Sequence, residues 1–433
     1  MYLNFYKLTL FLVLVTTVDY RFFGNYPGVP SFTLTEIVSY GMLFLYLGRS
    51  LFSESSSFRD SVVCFRKNRI VFFYFGWAAL ASIFGLIARS SGDGLQMFKN
   101  LFPSFIVYFF IVKYVHTMKR ISALLAFYLT GIALNLFLCL SQILTDGPRP
   151  MPINDAVTSK MDFSGEVMST LATGFFNHPN GLALLLLPAV ILMVSAAVSP
   201  ILPRTVPKAL VLVLLCVTLF TLKYTYAKGV YAWVLIGCGL LFIPRRLDRW
   251  RFRIGVMTLL AGIIGLISYS LSTLLSGEDR ALSTIVTRIY LLAAALDVIK
   301  NDYFVQLFGD GFKAMIIASS KIADWEYPNA HNGIVNQALF YGLPCFFFYL
   351  WTYFDTVLRL SRVIANSNGT SKALACFLFA ALIALFGEYF FEPANAGVTL
   401  QSHFFILIAL TTVLWRLFVE PAPSVAADDR CAV

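Results

Sequence analysis

From Phe5 to Val419 the chain returns repeatedly to apolar runs near 20 residues long, the length an α-helix needs to cross the hydrocarbon core of a bilayer. Hydrophobic residues make up 58% of the chain and charged residues 13%, about half the charged share of a soluble domain. A soluble fold of 433 residues could not hide that much apolar surface, whereas a bilayer can. The sequence therefore predicts an all-α polytopic membrane protein, with residues 1–433 forming a single transmembrane domain.

About twelve transmembrane helices are expected, at 5–23, 33–48, 70–88, 101–115, 121–144, 180–199, 209–222, 229–243, 254–275, 333–358, 373–392 and 401–419. The shorter ones are extended by aromatic and basic flanks that snorkel to the interface. Lys and Arg concentrate in one alternate set of connections: 49–69, 113–120, 200–208, 244–253, 359–372 and the tail after 415. By the positive-inside rule this set is cytoplasmic, with the segment PRRLDRWRFR at 244–253 its strongest anchor. Both termini are then cytoplasmic, and the two long connections, 145–179 and 276–332, are external loops.

The same clustering accounts for the net charge of +10 without a nucleic-acid partner. The first apolar run has no small-residue cleavage site after it and reads as the first helix, not a removed leader. The 7 cysteines show neither metal-ligand spacing nor obvious pairing, and read as apolar packing residues.

Four places in the sequence carry residues suited to chemistry. In AHNGIVNQALFYGLP (330–344), His331 and Asn332 stand where the second external loop enters a helix. An imidazole there can accept a proton from a sugar hydroxyl near neutral pH; the same pair also reads as an interfacial helix cap. The external cations are Lys223, Lys228, Arg280, Arg288 and Lys313. Arg288 lies in an otherwise apolar helix, on one face with Thr284 and Thr287. Cations against apolar surroundings generally have an anionic partner, and a diphosphate suits them; interfacial snorkelling is the other reading. In TGFFNHPNGLALLLLP (173–188), Pro179 and Asn180 suit a helix start, and Phe175 and Phe176 beside His178 could shape a sugar or lipid pocket. Glu388 and Glu392 sit one turn apart near the outer end of a helix, as functional carboxylates or as protonated or paired structural ones.

No P-loop, GxGxxG, HExxH, GxSxG or DxD pattern occurs in a suitable context, so neither a metal nor a cofactor is expected. Cationic side chains alone would then stabilise a leaving diphosphate.

Four segments, in order, resemble the O-antigen ligase superfamily of bacterial envelope ligases and polymerases. They are TGFFNHPNGLA, TYAKG, TRIYLLAAALDVIKNDYFVQLFGDGF and AHNGIVNQALFYGLP, spanning roughly 173–358. The resemblance implies a glycosyltransferase C-type membrane fold with a helical periplasmic loop. It implies a metal-independent inverting transfer at the periplasmic face of the bacterial inner membrane. The donor would be a glycan on undecaprenyl diphosphate, and the acceptor the lipid A–core in a ligase or another lipid-linked repeat in a polymerase. It makes His331 the base that activates the acceptor hydroxyl and Arg288 a ligand of the diphosphate, with Lys228, Lys223 and Arg280 as further cations. Asn332, Asn180, His178 and Glu388 would support the pocket. Lys228 stands where the family usually has Arg in a Ser-Arg-Gly triplet; here the triplet is Ala227, Lys228, Gly229, which keeps the charge and loses the fork.

A transporter or flippase of a lipid-linked or anionic substrate is the competing reading. It needs a continuous polar path through the bundle, and the intramembrane polar residues are sparse: Glu36, Asn135, Gln142, Glu388 and a few others.

Overall fold

The computed structural model describes residues 4–18, 21–22, 32–52, 68–90, 92–144, 159–161, 167–170, 172–176, 179–225, 227–242, 279–323, 330–390 and 398–420. The helices of the first half are α1 (Phe5–Val15), α2 (Leu34–Phe52), α3 (Arg69–Arg89), α4 (Asp93–Tyr114) and α5 (Met118–Leu144). Then come α6 (Pro179–Val198), α7 (Lys208–Lys223) and α8 (Lys228–Phe242). The second long connection carries α9 (Asp279–Asn301), α10 (Tyr303–Phe308) and α11 (Phe312–Ala323). The chain closes with α12 (Val335–Asn366), α13 (Gly369–Glu388) and α14 (Val398–Phe418). Two short antiparallel ladders pair β1 (Arg21–Phe22) with β2 (Phe32–Thr33) and β3 (Ser159–Met161) with β4 (Val167–Thr170); the helix expected over 5–23 ends at Val15, and Arg21 and Phe22 near its expected end form a strand instead.

Every expected span except 254–275 falls on a helix; that span and the basic segment 244–253 lie outside the described residues. Among the described residues, α3, α5, α6, α13 and nearly all of α4 and α14 are 6 helices long and apolar enough to cross a membrane. Phe5–Val15 and Gly229–Phe242 are apolar but shorter. The helix expected at 333–358 runs on to Asn366, because the Leu and Arg residues beyond it favour continuation.

The centre of the bundle is α6 and α14, whose apolar windows are 83% and 78% buried, while α3 at 39% lies outside. The sequence of α6 is apolar all round, as a helix enclosed by neighbours requires. It packs on α7, α8 and α13, while α14 packs on α4, α12 and α13. Phe44, Ile87, Phe137 and Phe347 stand exposed on the outer surface, a belt suited to lipid.

Interior polar residues serve the backbone. Glu36 and Thr33 form a capping box at the start of α2: Thr33 N–H donates to Glu36 Oε2 at 2.6 Å, and Glu36 N–H to Thr33 Oγ1 at 3.1 Å. Lys99 Nζ lies 3.4 Å from the other Glu36 oxygen. Pro103 inside α4 cannot donate to the Lys99 carbonyl, and the Tyr40 hydroxyl does so instead at 3.1 Å.

The largest such repair is in α12. Gly342 interrupts the helix at φ 84°, ψ 167°, and Pro344 has no N–H to offer Phe340. The turn Gly309–Asp310–Gly311, between α10 and α11, fills the break. Asp310 N–H donates to Phe340 O at 3.2 Å and Gly311 N–H to Leu339 O at 2.9 Å. Trp77 Nε1 on α3 is shared between Tyr341 O and Leu307 O, at 3.2 Å each. The approach is so close that a Cβ on Gly309 would overlap the Phe340 carbonyl, and one on Gly342 the Leu307 carbonyl.

Gly342→Ala is therefore expected to cost about 3 kcal/mol of stability, read as a lower thermal midpoint of the solubilised protein. Gly41→Ala on α2, where an added Cβ meets nothing within 4 Å, is expected to be neutral or slightly stabilising.

Candidate functional site

The start of α12 is held against the end of α13 by a short set of hydrogen bonds. Gly333 N–H donates to Tyr389 O at 2.7 Å, and Asn332 Nδ2 donates to Phe390 O at 3.1 Å. Asn332 Oδ1 accepts from Ile334 N–H and Val335 N–H, both at 3.0 Å, and so caps α12 from the side chain. Ala330 N–H donates to Asn336 Oδ1 at 2.9 Å. Between these ties sits His331, half-buried, with φ 46°, a left-handed conformation that a non-glycine residue adopts only where its surroundings impose it. The capping expected of this motif thus belongs to Asn332, and it fixes the backbone that presents the imidazole.

Glu388, the last residue of α13, is buried beside this junction. Its carboxylate lies against the first turn of α8: a Cβ built on Gly229 would stand 3.1 Å from each of its oxygens. Glycine permits that approach, and the exposed N–H groups of a helix start favour a carboxylate there. Lys228 is the first residue of α8, immediately before Gly229; Lys223 ends α7 and is exposed. Tyr224, in the turn between them, accepts from Ala172 N–H at 3.0 Å, tying the segment 172–176 to the same end of the bundle.

That segment is also gripped from α5. Gln142 Oε1 accepts from Thr173 N–H and Gly174 N–H, both at 3.1 Å, and Asn135 Oδ1 accepts from Phe175 N–H at 3.3 Å. Asn135 Nδ2 donates to Thr17 O at 2.8 Å. These two amides, read from sequence as sparse polar residues in a membrane, are loop anchors. Their signal was the seven-residue spacing, which puts both on one face of α5. The carbonyls of Tyr224, Tyr389 and Phe390 had no sequence signal, since any residue supplies a carbonyl.

Arg288 lies on α9, half-buried and one turn before Leu291, on the face that also buries Ala294, Ala295 and Ile299. That helix packs on α10, α11 and α12. Arg280 lies in the first turn of the same helix, and Lys313 is exposed on α11. Pro179 and Asn180 are the first two residues of α6, at the helix start expected for them; His178 and Glu392 lie outside the described residues. The helix expected to run to 392 ends at Glu388.

The loop that carries Arg288 is pinned to α3. Arg89 Nη2 donates to both carboxylate oxygens of Asp302 at 2.7 Å, and its guanidinium lies 4.4 Å from the Phe304 ring centroid. Asp302 also caps α10 through Phe304 and Val305 N–H. Partial burial works to raise the pKa of this carboxyl, but the Arg89 hydrogen bonds and charge, together with the capping N–H groups, outweigh it and hold the group below its usual range.

Asn332→Ala removes both the cap and the tie to Phe390, and is expected to lower stability by about 1–2 kcal/mol. Asn332→Asp keeps the cap and loses only the tie, so it is expected to fall between Ala and the natural residue. Thermal unfolding, with amide exchange at 331–335, checks both.

His331, Asn332, Glu388 and the Ala227–Lys228–Gly229 triplet thus meet at one end of the bundle, with the 172–176 segment tied beside them. No family model matches the chain, and no curated protein matches it.

Proposed function

We propose that the protein is a membrane glycosyltransferase of the O-antigen ligase and polymerase kind, with about twelve spans, a C-type fold and a bound lipid environment in the bacterial inner membrane. Both termini face the cytoplasm in this reading, and the His331 end of the bundle faces the periplasm. The observation that carries it is the junction of α8, α12 and α13. Three segments far apart in sequence bring an imidazole, a buried carboxylate and the cationic triplet to one end of an apolar bundle, beside the loop that bears Arg288.

The chemistry follows from those side chains. The donor is a glycan on undecaprenyl diphosphate. A hydroxyl oxygen of the acceptor attacks the anomeric carbon while the bond from that carbon to the phosphate oxygen breaks, inverting the centre. His331 takes the hydroxyl proton. The diphosphate leaves with its electron pair, and Arg288 and Lys228 stabilise the charge that develops on it, with Lys223 and Arg280 adding to the local field. Asn332 holds the backbone of the base. Glu388, at the end of α13, lies against the start of α8 beside the triplet. No metal is required in this scheme.

Lipid A–core is the favoured acceptor, which makes the protein a ligase; a second lipid-linked repeat would make it a polymerase. Of the polar residues that a transporter path would need, Glu36 caps α2, Asn135 and Gln142 anchor the 172–176 segment, and Glu388 lies against α8.

His331→Ala is expected to lower transfer from a purified lipid-linked glycan by about 10²–10⁴-fold while the protein inserts and folds normally. Arg288→Ala is expected to impair use of the donor. A well-expressed His331→Ala protein with full activity would remove the base. Translocation of the lipid-linked glycan without a new glycosidic bond would replace the enzyme reading with the transporter one. In a deletion strain, long chains left on the carrier lipid indicate a ligase and single repeats a polymerase.

A further inference from the structure

At the end of the bundle opposite His331, α3, α12 and α14 enclose a cavity of about 340 Å³. Along the unbroken α14, Leu400, whose carbonyl accepts from the Tyr389 hydroxyl at the His331 end, stands about 24 Å from Arg416 at 1.5 Å per residue. That span approaches the roughly 30 Å of a hydrocarbon core, so the cavity lies toward the headgroups of the other leaflet. Arg359 and Arg362 reach it from α12 and Arg416 from α14. Asp355 and Glu420 also line it, and among the described residues three guanidinium groups stand against two carboxylates, a positive balance.

The arginines are held in place by groups around the rim. Arg359 Nε lies 2.6 Å from Asp355 Oδ2, and its Nη1 donates to Asn68 Oδ1 at 3.3 Å. Arg416 Nη1 donates to Val112 O at 3.1 Å. The guanidinium groups of Arg359 and Arg362 each lie 5.8 Å from the centroid of the Trp415 ring. Each guanidinium has five N–H donors, more than these contacts use on Arg359 and Arg362. A second cavity of about 220 Å³ shares Arg416 and adds Lys113 and His116. Burial, and then the charges of Arg120 and Arg416, hold His116 below the usual imidazole range, as a region of positive potential would.

An apolar stripe leads to the larger cavity. Phe347, Trp351, Phe354 and Leu358 follow one another at helical spacing along α12, each more than half exposed, and Leu358 lines the cavity itself. A soluble anion would use the arginines alone, whereas a phospholipid from the bilayer that this stripe faces would use the arginines and the stripe together. Basic pockets between helices at a membrane interface bind anionic headgroups in this way.

We propose that the cavity holds the phosphate-bearing headgroup of an anionic phospholipid, with an acyl chain laid along the Phe347–Leu358 stripe. The site is separate from the His331 end and stands whether or not the glycosyltransferase reading holds. The test is native mass spectrometry of the full-length solubilised protein titrated with phosphatidylglycerol or with phosphatidylcholine of the same chains. Phosphatidylglycerol is expected to bind the more tightly. Arg362→Gln, at an exposed residue, is expected to fold normally and to weaken phosphatidylglycerol about fivefold while leaving phosphatidylcholine unchanged. Adding Arg416→Gln is expected to bring the two lipids level. Equal binding of both lipids to the natural protein, or an Arg362→Gln protein unchanged toward phosphatidylglycerol, overturns the proposal. Inorganic phosphate that displaces the lipid at equal concentration also overturns it, and makes the cavity a site for a soluble anion.

Discussion

Backbone groups buried away from water must find partners within the protein, and α12 is where this constraint bears hardest. Gly342 and Pro344 together deprive the Leu339 and Phe340 carbonyls of helical partners, and Asp310 and Gly311 supply replacements from a different part of the chain. Trp77 adds a donor for Tyr341 from a third helix. The break is thus tolerated because α3, α10 and the turn after it are already in place. It also recruits the long connection to the body of the bundle, where a loop with no such task would lie on the surface.

The same logic shapes the His331 end. Asn135 and Gln142 satisfy the N–H groups of 173–175, Asn332 satisfies those at the start of α12, and the carbonyls at the end of α13 receive Gly333 and Asn332. Each tie joins elements distant in sequence, and together they hold His331 in a backbone conformation that it would not adopt unaided. If the proposed transfer is correct, these ties would set the direction of the His331 imidazole before substrate arrives.

Much of the helical plan was legible because hydropathy is a local property: the apolar runs fixed where helices lie, to within a few residues at most ends. The ends that moved did so for reasons hydropathy does not see. The helix after Asn368 stops at Glu388, where the chain turns to receive Gly333, and α12 runs past its apolar stretch because charged residues continue it readily. At the site, His331, Asn332, Glu388 and the Ala-Lys-Gly triplet could be nominated from residue type and position at helix ends. Their meeting could not, since it depends on Gly229 admitting the Glu388 carboxylate and on carbonyls that any sequence would provide. Nor did the sequence distinguish polar residues that conduct from those that fasten, as Glu36, Asn135 and Gln142 illustrate.

The capped start of α12 and its interruption are ten residues apart, from Asn332 to Gly342, and each is clamped to a different partner. That stretch therefore works as a gauge of fixed length. One residue added or removed within it would turn the two clamps by about 100° relative to each other, and no side-chain adjustment could restore both. Related chains that share this arrangement are bound to one count of residues between Asn332 and Gly342.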